Sequence, residues 1–177
     1  MSKEILETVA RESLLEAARQ RRELGDLREN LFRYIVMNKL SRKNTFGKVG
    51  FNSDKLVKRS LVLEHQYKPK KSKVNPDLID LVSIKKSSRK DPTNDKYQPQ
   101  PLAIEMKTNH NSDLKKDLKS CRHYLKSGGS MRFQYSMLLV AGSNKPPSIN
   151  PRQSSKSKLL YGYLDSNLKP VIKWISE

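Results

Sequence analysis

The segment PLAIEMKTN, residues 101–109, carries Glu105 and Lys107 two positions apart in a run that otherwise reads as a buried strand. Successive side chains on a strand point to opposite faces, so Glu105 and Lys107 share one face while Ile104 and Met106 take the other. Upstream, PDLIDLVSI (76–84) opens on Pro76 and Asp77 before a second apolar run. Two carboxylates held by neighbouring strands of a rigid sheet can bind one hard divalent cation such as Mg2+. A cation so placed neutralises charge on a phosphate oxygen and lowers the pKa of a bound water. A lysine beside it orients that water and stabilises a negative transition state. This is chemistry for cutting phosphodiesters.

The charge of the chain suits such a substrate. Lys and Arg number 36 against 18 Asp and Glu, a net charge of +18 with a pI near 10.0, which points to a polyanionic partner. An ordinary basic protein is the plain alternative. Between Lys39 and Lys73 eleven basic residues face two acids, Asp54 and Glu64. Lys68, Lys70, Lys71 and Lys73 in that stretch, with Lys115, Lys116, Lys119 and Arg122 further on, are the candidate phosphate contacts. Such contacts confer affinity and salt dependence but no base readout. Cys121 is the only cysteine, which excludes an intramolecular disulfide and a thiolate zinc cluster. His65, His110 and His123 lack a metal-ligand spacing. Without a membrane-length apolar run or a signal-peptide core, the expectation is an intracellular soluble protein, cytoplasmic or nucleoid-associated, with no membrane partner.

The positioning elements follow from periodicity. A helix is predicted over 3–24, with Ile5, Val9, Leu14, Leu15 and Ala18 as its apolar stripe, and Gly25 ends it. Asp26 and Glu29 have capping-box spacing before a second helix over 26–40, whose stripe is Leu27, Leu31, Tyr34, Ile35 and Met37 or Asn38. Strands are predicted over 60–67, 76–84 and 101–109. Ser112 is the expected N-cap of a third helix bearing Leu114, Leu118, Cys121 and Leu125, stopped by Gly128 and Gly129. A fourth strand spans 132–142, a proline- and serine-rich stretch (143–157) reads as a mobile loop, and a hairpin turned at Ser166 and Asn167 closes the chain. The expectation is one α/β domain over 1–177, with an N-terminal helical segment (1–40) and a mixed sheet of four to six strands flanked by helices.

At Pro76-Asp77 and Glu105-x-Lys107 the chain resembles the PD-(D/E)xK nuclease superfamily, with its restriction-endonuclease-like fold. The resemblance covers residues 27–142: a helix, three strands bearing the two elements, a second helix and a fourth strand. It implies a metal-dependent endonuclease acting on DNA, with Mg2+ as cofactor and Mn2+ as a substitute, leaving 5′-phosphate and 3′-hydroxyl ends. Carried over, Asp77 and Glu105 are metal ligands and Lys107 the catalytic lysine. Glu29 is the candidate for the additional acid that many members place on the first helix, with Glu64 as its alternative. Asp80, three positions from Asp77 and expected on the other face of the strand, is second choice to it. The pattern recurs at Asp113-x-Lys115 and Asp117-x-Lys119, but on a predicted helix, where residues two apart do not face each other. A homodimer is expected only by analogy with members that cut both strands. The competing readings are a non-catalytic nucleic-acid-binding module, a basic subunit of a nucleoprotein complex and, last, membrane-surface binding.

Overall fold

The N-terminal apolar stripe folds as α1, Lys3–Leu24, in the computed structural model. The structure describes residues 2–43, 59–67, 77–85, 100–109, 114–126, 133–142 and 152–176, with backbone alone for 59–67, 77–78, 81–85 and 100–101. Ser2 caps α1 by accepting from the Ile5 amide at 3.4 Å. Gly25 ends it in the left-handed region (φ 74°), a conformation that costs glycine little because it has no Cβ. The buried stripe is Leu6, Val9, Ala10, Ser13, Leu14, Ala17 and Ala18. Leu15 is 51% exposed, because one residue beyond Leu14 the helix has turned about 100° toward solvent.

The second helix, α2, spans Glu29–Ser41 and therefore starts later than its sequence pattern predicts. Arg28 occupies the N-cap without a side-chain bond, and the Asp26 carboxylate accepts from the adjacent Leu27 amide at 2.7 Å. The capping box does not form. Phe32, Ile35, Val36, Met37 and Leu40 are buried, while Tyr34 remains 58% exposed.

Six strands form one sheet in chain order: β1 (Arg59–Tyr67), β2 (Asp77–Lys85), β3 (Gln100–Lys107), β4 (Phe133–Val140), β5 (Leu159–Leu164) and β6 (Pro170–Ile175). β1, β2 and β3 pair antiparallel, β3, β4 and β5 parallel, and β5 with β6 antiparallel. Parallel neighbours need a crossover, and between β3 and β4 it carries α3, Leu114–Tyr124. This is a mixed α/β architecture. Leu102, Ile104, Met106, Met137 and Leu139 pack with α1 and α2 on one face. On the other, Leu138, Val140, Leu159 and Tyr161 pack with Leu114, Leu118, Cys121 and Leu125, the stripe predicted for this helix.

Two details hold the layers in place. An added Cβ at Gly162 would lie 2.9 Å from Leu139 Cδ2 and 3.2 Å from Leu14 Cδ1, so glycine there lets α1 approach the sheet closely. Arg21 of α1 donates to the carbonyls of Ala141 (2.6 Å) and Thr108, pinning the ends of β3 and β4 where Lys107 emerges. At the closing hairpin, Asp165 Oδ1 accepts from the Asn167 and Lys169 amides, each at 2.8 Å, around Ser166 and Asn167. The tail of the expected mobile loop is tied down: Ser154 N–H donates to Trp174 O, and Gln153 bridges to Ile175. Ser112, Gly128, Gly129 and 143–151 lie outside the described residues. Among the described residues, no helix is long and apolar enough to cross a membrane.

Candidate active site

The E-x-K pair sits where β2 and β3 part. The β2–β3 pairs are Leu81–Ile104, Val82–Ala103 and Ser83–Leu102, and the same register continued would set Asp80 opposite Glu105. There the Met106 amide donates to Asp80 Oδ2, at 2.7 Å. A carboxylate bonded to a strand amide lies at the level of the sheet itself, open to approach from both faces. From one side Arg33 of α2 reaches Asp80 Oδ1 with Nη2 at 2.6 Å. The same nitrogen binds Glu29 Oε1, also at 2.6 Å, so Glu29 joins the site through a guanidinium.

On the α3 face lie Glu105 and Lys107. Glu105 is 6% and Asp80 7% exposed, and the two carboxyl groups are within hydrogen-bonding reach of each other. Burial, then the negative charge of Asp80, push the Glu105 carboxyl up to about 8, although the Tyr124 hydroxyl works against the rise. That hydroxyl donates to Glu105 Oε1 at 2.6 Å, and its ring meets Phe133 edge-on at a centroid distance of 6.2 Å. Lys107 Nζ lies 3.8 Å from Asp117 Oδ2 of α3.

The structure thus brings together Asp80 and Glu105, with Glu29 linked through Arg33, while Lys107 shares the strand face of Glu105 and has its Nζ beside Asp117. Asp77 opens β2, its backbone in register with Tyr67, but its side chain lies outside those described, as does that of Glu64. Among the candidate phosphate contacts, Lys115, Lys116 and Lys119 are exposed along α3, whereas Arg122 is half-buried and donates to Ser176 O at 3.2 Å. Lys68, Lys70, Lys71 and Lys73 fall outside the described residues. Cys121 is buried, with its thiol pushed up by burial, and His123 is exposed.

The sequence pattern gives Arg33 and Tyr124 no role, and sets Asp117 aside as a helical repeat of the E-x-K spacing. The signal for Asp117 and Tyr124 was their spacing of seven residues, which puts both on one face of a helix.

Two acids forced together under burial must share a proton or hold a cation. Paired carboxylate oxygens suit Mg2+, which commonly takes one or two carboxylates and completes its shell with water and substrate phosphate. Among the described residues, no group of three or more His, Cys, Asp and Glu side chains is arranged to hold a metal. No protein-family model, curated protein or solved structure matches this chain.

Proposed function

We propose that this protein is a metal-dependent endonuclease that hydrolyses phosphodiester bonds in DNA, with Asp80 and Glu105 as metal ligands and Lys107 as the catalytic lysine. The observation that carries this reading is the buried Asp80–Glu105 pair at the opening between β2 and β3, with Lys107 on the same face of the same strand. Three antiparallel strands, a helix and a fourth strand parallel to the third also suit a restriction-endonuclease-like core of the PD-(D/E)xK kind. In this assignment Asp80 replaces Asp77 as the β2 ligand, because Asp80 is the acid beside Glu105.

Bound between the two carboxylates, Mg2+ or Mn2+ would supply charge neutralisation at the phosphate and acidify a water. The chain's own residues do the rest. Asp80 is fixed by the Met106 amide, and Lys107 presents a cation to the phosphate and its attacking water. Lys115, Lys116 and Lys119 offer phosphate contacts along α3. Water adds to phosphorus as the bond to the 3′ oxygen breaks, leaving a 5′-phosphate and a 3′-hydroxyl. One site handles one strand, so double-strand cutting would require two copies.

A nucleic-acid-binding module without catalysis is the second reading, favoured by Arg33, which already neutralises Asp80. Incubation of supercoiled, linear and branched DNA with Mg2+, Mn2+ or EDTA separates the two. Wild type should cut only with metal, Asp80→Asn and Lys107→Ala should bind without cutting, and Asp77→Asn should still cut. Binding without cutting by wild type on every substrate would favour the module.

A further inference from the structure

α3 turns a different face to each of its surroundings. Its inner face carries Asp117 and Tyr124, seven residues and two turns apart, against β3. Tyr124 reaches Glu105 and Asp117 reaches Lys107, so the helix runs antiparallel to the strand it touches and meets both ends of the E-x-K pair. Its outer face is the lysine row already described.

We infer that α3 is the positioning element of the site, with Tyr124 setting the orientation of Glu105 and Asp117 setting that of Lys107. The inference rests on the nuclease reading and extends it to two residues outside the E-x-K pattern. A buried hydroxyl donating to Oε1 fixes the rotation of the carboxylate about its last bond. The Tyr124 ring is itself held, being 1% exposed and edge-on to Phe133. Asp117 acts on the other partner. A lysine stem has four rotatable bonds, and a carboxylate beside Nζ limits the directions the ammonium can take. The two contacts therefore divide the work: one governs metal affinity, the other the step that follows.

The test is a pair of nearly isosteric variants, Tyr124→Phe and Asp117→Asn, each assayed for cleavage across a Mg2+ titration and for Mn2+ binding by calorimetry. DNA binding in EDTA and thermal unfolding are followed alongside. Loss of an outer partner of a metal ligand typically costs about 10- to 100-fold in affinity or activity. Tyr124→Phe should raise the half-saturating metal concentration by that factor, with turnover at saturating metal close to wild type. Asp117→Asn should lower turnover at saturating metal, with the half-saturating concentration moved far less than in Tyr124→Phe, because the Asp117 charge acts on Glu105 only as the last and smallest of its influences. Wild-type metal dependence in Tyr124→Phe, or wild-type turnover in Asp117→Asn, would overturn the assignment of that residue. Equal loss of every property, including melting temperature, would reduce both to fold-supporting contacts and overturn the inference. Wild type that neither binds Mn2+ nor cuts would overturn the nuclease reading first, and the inference with it.

Discussion

Replacing Glu105 by glutamine should stabilise the metal-free protein, and by an amount that depends on pH. In the unfolded chain this carboxyl titrates near its ordinary 4.5, whereas in the fold burial and Asp80 push it up to about 8. Between those values the native state keeps a proton that the unfolded state has released, so stability falls as pH rises across the window. Below it both states are protonated and the penalty is absent. Above it both are ionised and the penalty is complete. At about 1.4 kcal/mol per pH unit, the whole window is worth about 5 kcal/mol as an upper bound. Glutamine keeps the shape: its carbonyl can accept from Tyr124, its amide can donate toward Asp80, and it does not titrate. Urea unfolding in EDTA should show the advantage of Glu105→Gln growing from near zero at about pH 4 to about 3–5 kcal/mol at about pH 9. Titrating groups remote from Glu105 are common to both proteins and cancel in the difference. A difference that stays flat with pH, or a wild type that is the more stable at high pH, would refute the claim that Glu105 is buried beside a second carboxylate.

Arg33→Met should destabilise the protein by about 3–5 kcal/mol at neutral pH, because it leaves Asp80 buried without its cation. Urea unfolding measures it, and combining the change with Asp80→Asn should recover part of the loss. The triple change Lys115→Ala, Lys116→Ala and Lys119→Ala should weaken duplex binding and flatten the log–log salt dependence by about 2.7, if each lysine neutralises one phosphate. Titrations at several salt concentrations test this, and thermal melting should barely change because all three side chains are exposed.

Local chemistry alone determined a good deal of this protein. Alternating apolar residues placed β1, β2, β3 and β4 within one or two residues of their observed limits, and the stripe from Leu114 to Leu125 is the buried face of α3. The shared face of Glu105 and Lys107 followed from the period of a strand, and the charge of +18 from composition. Helix patterns were less complete. They counted Leu15 and Tyr34 as core because both are apolar enough, but which side of a helix is covered depends on where its neighbours lie. The second carboxylate shows the same boundary more sharply. In the proposed site Asp80 is taken in preference to Asp77 because the register of β2 against β3, continued by one pair, would set Asp80 opposite Glu105, and that register joins segments far apart in the chain. Arg33, Asp117 and Tyr124 belong to two helices that reach the sheet from opposite faces. Periodicity reports which residues share a face of one element. Only tertiary packing decides which faces meet, and so which charges must answer one another in the buried space between β2, β3 and α3.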